Sequence, residues 1–386
     1  MRIYLDNSAT TKPRERVIEE MMTMLQTDYG NPSSLHRMGL EAEKRVESSR
    51  AIISNYLNVS KDEIMFTSGG TESNNIAIQG TINKYSRRGK HIITSKIEHS
   101  SVLNIFKHYE DNGYKVTYLD IDRNGLIDLN QLEESITDET VLVSIMYVNN
   151  ETGVIQPIEK VREIIKSKNK DTKLHVDGVQ AFGKINIDIK KLGADSFSFS
   201  GHKIHGPKGV GALFIKKGLN LNPIIFGGGQ EKNIRSGTEN TPGIVGLGVS
   251  VDEMAKHFKE EYEKISELRL YFYEEIGDNI EDIKLNSFTD ERSAPHILNI
   301  SFRGIKGEIL LHYLESDNIY VSTGSACSSK GKGKSSVLQA LKLSNEEIDG
   351  AIRFSFSYEN TREELDFVVE KLKKAVEEIR KITKRW

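Results

Sequence analysis

Up to residue 215 the chain alternates short apolar runs, rich in β-branched residues, with segments of mixed polarity. Apolar runs of strand length bounded by Gly, Ser or Asn turns predict strands over 63–67, 91–95, 115–119, 141–147, 173–176, 196–200 and 211–215. Between them, apolar residues at three- to four-residue spacing predict helices, including 71–85, 101–112 and 158–167. Strand–helix alternation predicts an α/β fold with a mainly parallel seven-stranded sheet flanked by helices. After about residue 250 the pattern changes. One long charged helix is expected over 251–276, a strand over 294–302, a helix over 307–315 and an amphipathic helix over 362–384. In the last of these, Leu365, Val368, Leu372, Val376, Ile379 and Ile382 form the apolar stripe. The expected division is a large domain over 15–255 and a smaller α+β domain made from 1–14 and 256–386.

Composition changes this picture little. With 37% hydrophobic and 28% charged residues in 386, the chain reads as globular. Acidic and basic residues nearly balance, 56 against 53, so no global field would recruit nucleic acid or an anionic membrane. The opening Met1-Arg2-Ile3-Tyr4 lacks a signal-peptide pattern, and no apolar stretch approaches the roughly 20 residues of a membrane span. A cytoplasmic protein without a membrane or direct nucleic-acid partner is expected. A single cysteine, Cys327, excludes an intramolecular disulfide and a CxxC metal site.

Candidate chemistry lies at strand ends. Ser68-Gly69-Gly70-Thr71-Glu72 follows a strand and opens a helix. Glycines there allow close backbone approach, and free N–H groups with the helix dipole favour a phosphate. Thr71 is expected to add a hydroxyl donor and to cap the helix. Asp177 ends one apolar strand, and Lys203 follows the next through Ser200-Gly201-His202. An acid and a lysine on adjacent strand ends suit pyridoxal phosphate, the lysine forming an imine and the acid protonating the pyridine nitrogen. P-loop look-alikes fail. Pro207 stands where the Gly201–Gly206 spacing requires lysine, and Ser328 stands where Gly333-Lys334-Ser335 requires glycine. Cys327 sits in a Gly/Ser/Lys-rich stretch over 322–336 in which Ala326 is the one apolar neighbour. Burial is the usual fate of cysteine, but this composition argues for an exposed loop whose lysines favour the thiolate.

Together these residues resemble the cysteine desulfurases, the NifS/IscS branch of the class V aminotransferase group. Further markers are Asp6-Asn7-Ser8-Ala9-Thr10-Thr11, Gly30-Asn31-Pro32-Ser33-Ser34-Leu35-His36, Glu98-His99-Ser100-Ser101, Asn149-Asn150-Glu151-Thr152-Gly153, Arg235-Ser236-Gly237-Thr238 and Ile352-Arg353-Phe354-Ser355. The resemblance implies an aspartate aminotransferase-like fold and an enzyme that takes sulfur from L-cysteine, leaving alanine and a persulfide on Cys327. It implies Lys203 as Schiff-base lysine and proton carrier, Asp177 at the pyridine nitrogen, His99 stacked on the ring, and Gln180 and Asn150 at the ring or its oxygen. Gly70, Thr71, Ser200 and His202 would cradle the phosphate. Thr238 would reach the phosphate of the neighbouring subunit in a homodimer. Arg353 would clamp the substrate carboxylate, and Asn31 and His36 would lie near the active site. A sulfur-acceptor protein is implied, an iron–sulfur scaffold or a thiouridine synthase type. The Lys330, Lys332 and Lys334 run departs from the more apolar stretch of the iron–sulfur branch. Selenocysteine lyase, another class V activity and a non-catalytic sulfur-relay scaffold are the alternatives.

Overall fold

The computed structural model describes residues 2–323 and 334–383 and is organised around a seven-stranded sheet. Its strands are β1 (Ile64–Thr67), β2 (His91–Ser95), β3 (Lys115–Leu119), β4 (Thr140–Met146), β5 (Lys173–Asp177), β6 (Ser196–Ser200) and β7 (Gly211–Ile215). The spatial order is β1-β7-β6-β5-β4-β2-β3. The run from β6 to β3 pairs in parallel, and β7 is antiparallel to both its neighbours. The expected strands lie within a residue of the observed ends. In β4 every side chain is buried, which is why this strand is mostly apolar rather than alternating.

Helices α1 (Gly70–Tyr85) and α2 (Ser100–Asp111) follow β1 and β2. Thr71 does not cap α1. The cap position falls on Gly69, whose φ of 146° favours glycine, with no side-chain bond to the helix end. Because β7 is antiparallel to both β1 and β6, β1 runs in the direction of β2–β6. Their carboxyl ends therefore share one edge of the sheet, where ligands bind in open α/β sheets.

A second apolar body contains Leu5, Phe272, Leu298, Ile352, Phe354 and Leu372. Its antiparallel sheet has β8 (Ile283–Leu285), β9 (Ile297–Phe302), β10 (Ser322–Thr323) and β11 (Ala351–Ser355) in the order β10-β11-β9-β8. Strand β9 starts later than the expected residue 294 because Pro295 has no N–H for the ladder. Ile3–Tyr4 pairs in parallel with Ile319–Tyr320. Helix α3 (Thr241–Asn279) packs Val251 and Met254 into the first body and Ile265 and Phe272 into the second. It begins ten residues before the expected start, since Pro242, Gly243, Gly246 and Gly248 disguise it as a loop. Helix α4 (Arg362–Thr383) covers the antiparallel sheet. Among the described residues no helix is long and apolar enough to cross a membrane.

Candidate active site

Asp177 is the last residue of β5 and is buried. Its Oδ1 accepts the Val179 N–H at 3.0 Å and its Oδ2 accepts from Asn74 Nδ2 at 2.8 Å. Fixed donors on both oxygens hold this carboxyl group in one orientation. The turn after it requires glycine, because a Cβ on Gly178 would meet the Phe197 ring at 1.9 Å. Gln180, in the same turn, donates Nε2 to the Ser8 carbonyl at 3.0 Å, and its Oε1 lies 3.2 Å from His296 Nε2.

Lys203 closes the short 3-10 turn that follows β6. Its Nζ donates to the Ala9 carbonyl at 2.9 Å and to the Ser8 carbonyl. His202 lies 3.3 Å from Thr10 Oγ1 through Nδ1. Burial, with the Lys203 and Lys208 charges, holds His202 down to about 4, so its ring is neutral. His99 caps α2, its Nδ1 accepting the Ser101 N–H at 3.1 Å. Burial lowers its pKa, Lys203 acting with that trend and Asp177 against it. Arg353, on β11, is buried. It donates Nη1 to the Asn150 carbonyl at 2.7 Å and Nη2 to Asp6 Oδ1 at 2.8 Å. Among the described residues its Nε, like Ser8 Oγ, is buried without a hydrogen-bond partner.

One cavity of about 280 Å³ is lined by Gly70, Thr71, His99, Asn150, Asp177, Gln180, Ser200, His202, Lys203 and Arg353. An adjoining cavity shares Gly70, Thr71, Ser200 and His202 and adds Lys208 at its rim. The first turn of α1 points its free N–H groups toward this end, where an anion is favoured. Gly70 must be glycine here, since a Cβ would meet Val179 Cγ2 at 2.5 Å. Glu72, the acid on this rim, is occupied: it accepts from Arg235 Nε at 3.2 Å and from the Ser68 N–H. The chemistry of this donor set fits a planar ring with a phosphate arm. An acid is aimed at one end, an anion cradle stands at the other, a lysine is within the cavity and a histidine is on the wall.

Asn31 and His36 are not brought into this cavity, and Thr238, expected at the neighbouring subunit's phosphate, stands apart from it. Asn31 is exposed on the loop before the helix Arg37–Tyr56, its Oδ1 accepting the Ser33 N–H at 2.9 Å. His36 caps that helix through Nδ1. Thr238 is exposed beyond Arg235 and lines neither cavity. Cys327, Lys330 and Lys332 lie outside the described residues, while Lys334 is paired with Asp349 at 3.3 Å. Sequence reasoning assigned no role to Asp6, Ser8, Asn74, Glu98 or Ser101. Four of these are short polar residues inside the quoted motifs, and the remaining signal was a polar side chain, Asn74, within the first turns of a buried helix.

The aminotransferase class-V family model matches residues 3–368. A cysteine desulfurase IscS of Clostridium botulinum is 43% identical over 385 residues, covering 100% of this chain and 96% of that one. A solved NifS-like protein superposes with a TM-score of 0.92 at 40% identity, covering 98% of this chain and 100% of its own. SspA, solved in complex with cysteine, has a TM-score of 0.81 at 35% identity and covers 93% of this chain and 100% of its own. A full-length match of this kind to both sequence relatives and folds leaves one assignment: the chain belongs to the cysteine desulfurases of the aminotransferase class-V family.

Proposed function

We propose that this protein is a cysteine desulfurase that takes sulfur from L-cysteine, using pyridoxal 5'-phosphate held in the Lys203 cavity. The observation that carries the site reading is the meeting of Asp177, Lys203 and Arg353, from three separate strands or turns, in one cavity beside a helix N-terminus. Lys203 Nζ would carry the cofactor and then move the substrate Cα proton. Asp177 would hold the proton on the pyridine nitrogen, His99 would stack on the ring, and Gln180 and Asn150 would contact its edge. Gly70, Thr71, Ser200 and His202 would take the phosphate, with Thr238 of the partner subunit adding a hydroxyl in a homodimer. Exposed Met22, Leu25, Tyr29 and Phe226 support a dimer, because apolar side chains in such numbers favour a protein contact. When bound, the cofactor supplies an electron sink for the carbanion at the substrate Cα. Arg353 would grip the substrate carboxylate with its remaining N–H groups. Cys327, as thiolate, would attack the substrate sulfur; the carbon–sulfur bond breaks, alanine leaves, and the sulfur stays on Cys327 as a persulfide for an acceptor protein.

Alanine release from L-cysteine tests the activity directly. Lys203→Ala should lose the cofactor's near-visible band together with turnover, and a variant that keeps both would remove Lys203 from this role. Cys327→Ser should keep the band and form no persulfide; undiminished sulfide release from that variant would overturn the role of the thiol.

A further inference from the structure

Asn74 is fully buried in α1, one turn behind the cavity wall. Its side-chain amide has four hydrogen-bonding positions and all four are filled. Oδ1 accepts from Ser198 Oγ at 2.6 Å and from His175 Nε2 at 3.0 Å. Nδ2 donates to Asp177 Oδ2 at 2.8 Å and to Ser101 Oγ at 2.9 Å. The reversed amide would set its oxygen against the Asp177 carboxylate, so this orientation is fixed electrostatically. The tautomers follow. Ser196 Oγ lies 2.9 Å from His175 Nδ1, so its hydroxyl donates there and His175 carries its proton on Nε2. His99 Nδ1 accepts the Ser101 N–H at 3.1 Å and so carries no proton, which makes the Ser101 hydroxyl, 2.9 Å away, a donor to it as well. His99 Nδ1 thus receives both the hydroxyl and the N–H of Ser101, which leaves its ring proton on Nε2. Every donor in the chain from Ser196 through His175, Asn74 and Ser101 to His99 points the same way. Burial holds His175 at about 3, so the chain stays in this single protonation state near neutrality.

We infer that Asn74 is a positioning residue that orients the Asp177 carboxylate and, by holding the Ser101 hydroxyl, reinforces the tautomer that the Ser101 N–H gives His99. It touches neither substrate nor cofactor and acts through those side chains. The inference rests on the reading of Asp177 as the partner of the cofactor's ring nitrogen. Hydrogen bonds to charged groups are the strong ones, so losing the Asn74 donor should weaken cofactor binding about tenfold or more.

The test titrates apoprotein with pyridoxal phosphate and follows the near-visible band against pH, with far-UV circular dichroism as the check on folding. The variants are Asp177→Asn, Asn74→Ala and Ser198→Ala. Asp177→Asn should weaken affinity and move the pH midpoint of the band. Asn74→Ala should do the same, with the midpoint moving in the same direction. A folded Asn74→Ala with unchanged affinity and midpoint, beside an Asp177→Asn that changes both, overturns the inference and leaves the site reading intact. An Asp177→Asn that changes neither overturns the site reading and the inference with it. Ser198→Ala removes only one of the two donors that lock the amide. If Asn74→Ala does not fold, Ser198→Ala decides: a smaller midpoint shift in the same direction supports the role, and no shift overturns it.

Discussion

Glu98 and Glu151 are carboxyl groups that the fold keeps from water. Glu98 Oε1 accepts from Ser95 Oγ at 2.6 Å and from the Met146 N–H at 2.9 Å, while its Oε2 is buried without a partner among the described residues. Burial pushes Glu98 up to about 8, the two hydrogen bonds opposing and the nearby Asp177 charge adding. It is therefore a neutral acid at the end of β2, beside His99. The folded state binds more protons than the unfolded chain between the ordinary 4.5 and about 8. This residue's contribution to stability thus falls as pH rises through that window and is flat above it. Glu98→Gln, neutral at every pH, should melt close to the wild type in mild acid and a few degrees above it beyond about pH 8. Parallel melting curves across the window would show that Glu98 is ionised throughout. Glu151, raised by burial to about 7 and holding Ser335 Oγ at 2.6 Å, acts in the same direction. Lys184, depressed by burial to about 8, acts in the opposite direction at higher pH, so the difference between variant and wild type is the informative quantity.

Helix α3 shows what glycine does inside an element. A Cβ on Gly248 would meet Ser49 Cβ at 2.6 Å and its Cα at 2.9 Å, so the helix Arg37–Tyr56 rests directly on this position. A Cβ on Gly246 would meet Met21 Cγ at 2.8 Å, in a flexible side chain that can swing away, and the rigid Pro207 ring at 3.1 Å, a milder overlap than the one at Gly248. Alanine improves helix propensity by about 1 kcal/mol at either site. Overpacking costs about 1–3 kcal/mol where the neighbour cannot yield. Gly248→Ala should therefore lower the urea midpoint, while Gly246→Ala should lower it much less or leave it nearly unchanged. Equal effects at the two positions would refute this packing account. The same glycines explain why the start of α3 was not legible in the sequence: propensity reads them as a loop, and only the helices packed on them give them a helical purpose. The large sheet was legible nearly to the residue, because its strands are short runs of β-branched, aromatic and aliphatic residues bounded by turn residues. Short strands such as β10, only Ser322–Thr323, carry no such periodicity and emerge only through pairing with β11.

At the scale of the molecule, the cavity joins segments that are far apart in the chain. Ten of the expected site residues share it: nine lie at or just beyond strand ends that the large sheet gathers, and Arg353 comes from the middle of β11 in the smaller sheet. Residues that act through another group were not legible: Asp6 looks like any surface acid until Arg353 Nη2 is seen 2.8 Å from it. Its carboxylate orients the guanidinium of a residue that lines the cavity. Asp6→Asn should raise the KM for L-cysteine several-fold with a smaller change in kcat, because a looser arginine weakens the grip on substrate more than the proton transfer. A fall in kcat at constant KM would assign Asp6 to the chemical step instead. The segment that carries Asp6 also supplies the Ser8 and Ala9 carbonyls to Lys203, and its Ser8 N–H is held by Ser355 Oγ at 2.9 Å, 347 residues further along. Synthesis delivers that segment and the strands of the large sheet before β11. A nascent chain can complete the large sheet, with Asp177 and Lys203 in register, before the arginine has been made. In a chain made in this order, any carboxylate grip by Arg353 would be added only after Asp177 and Lys203 already stand on the large sheet.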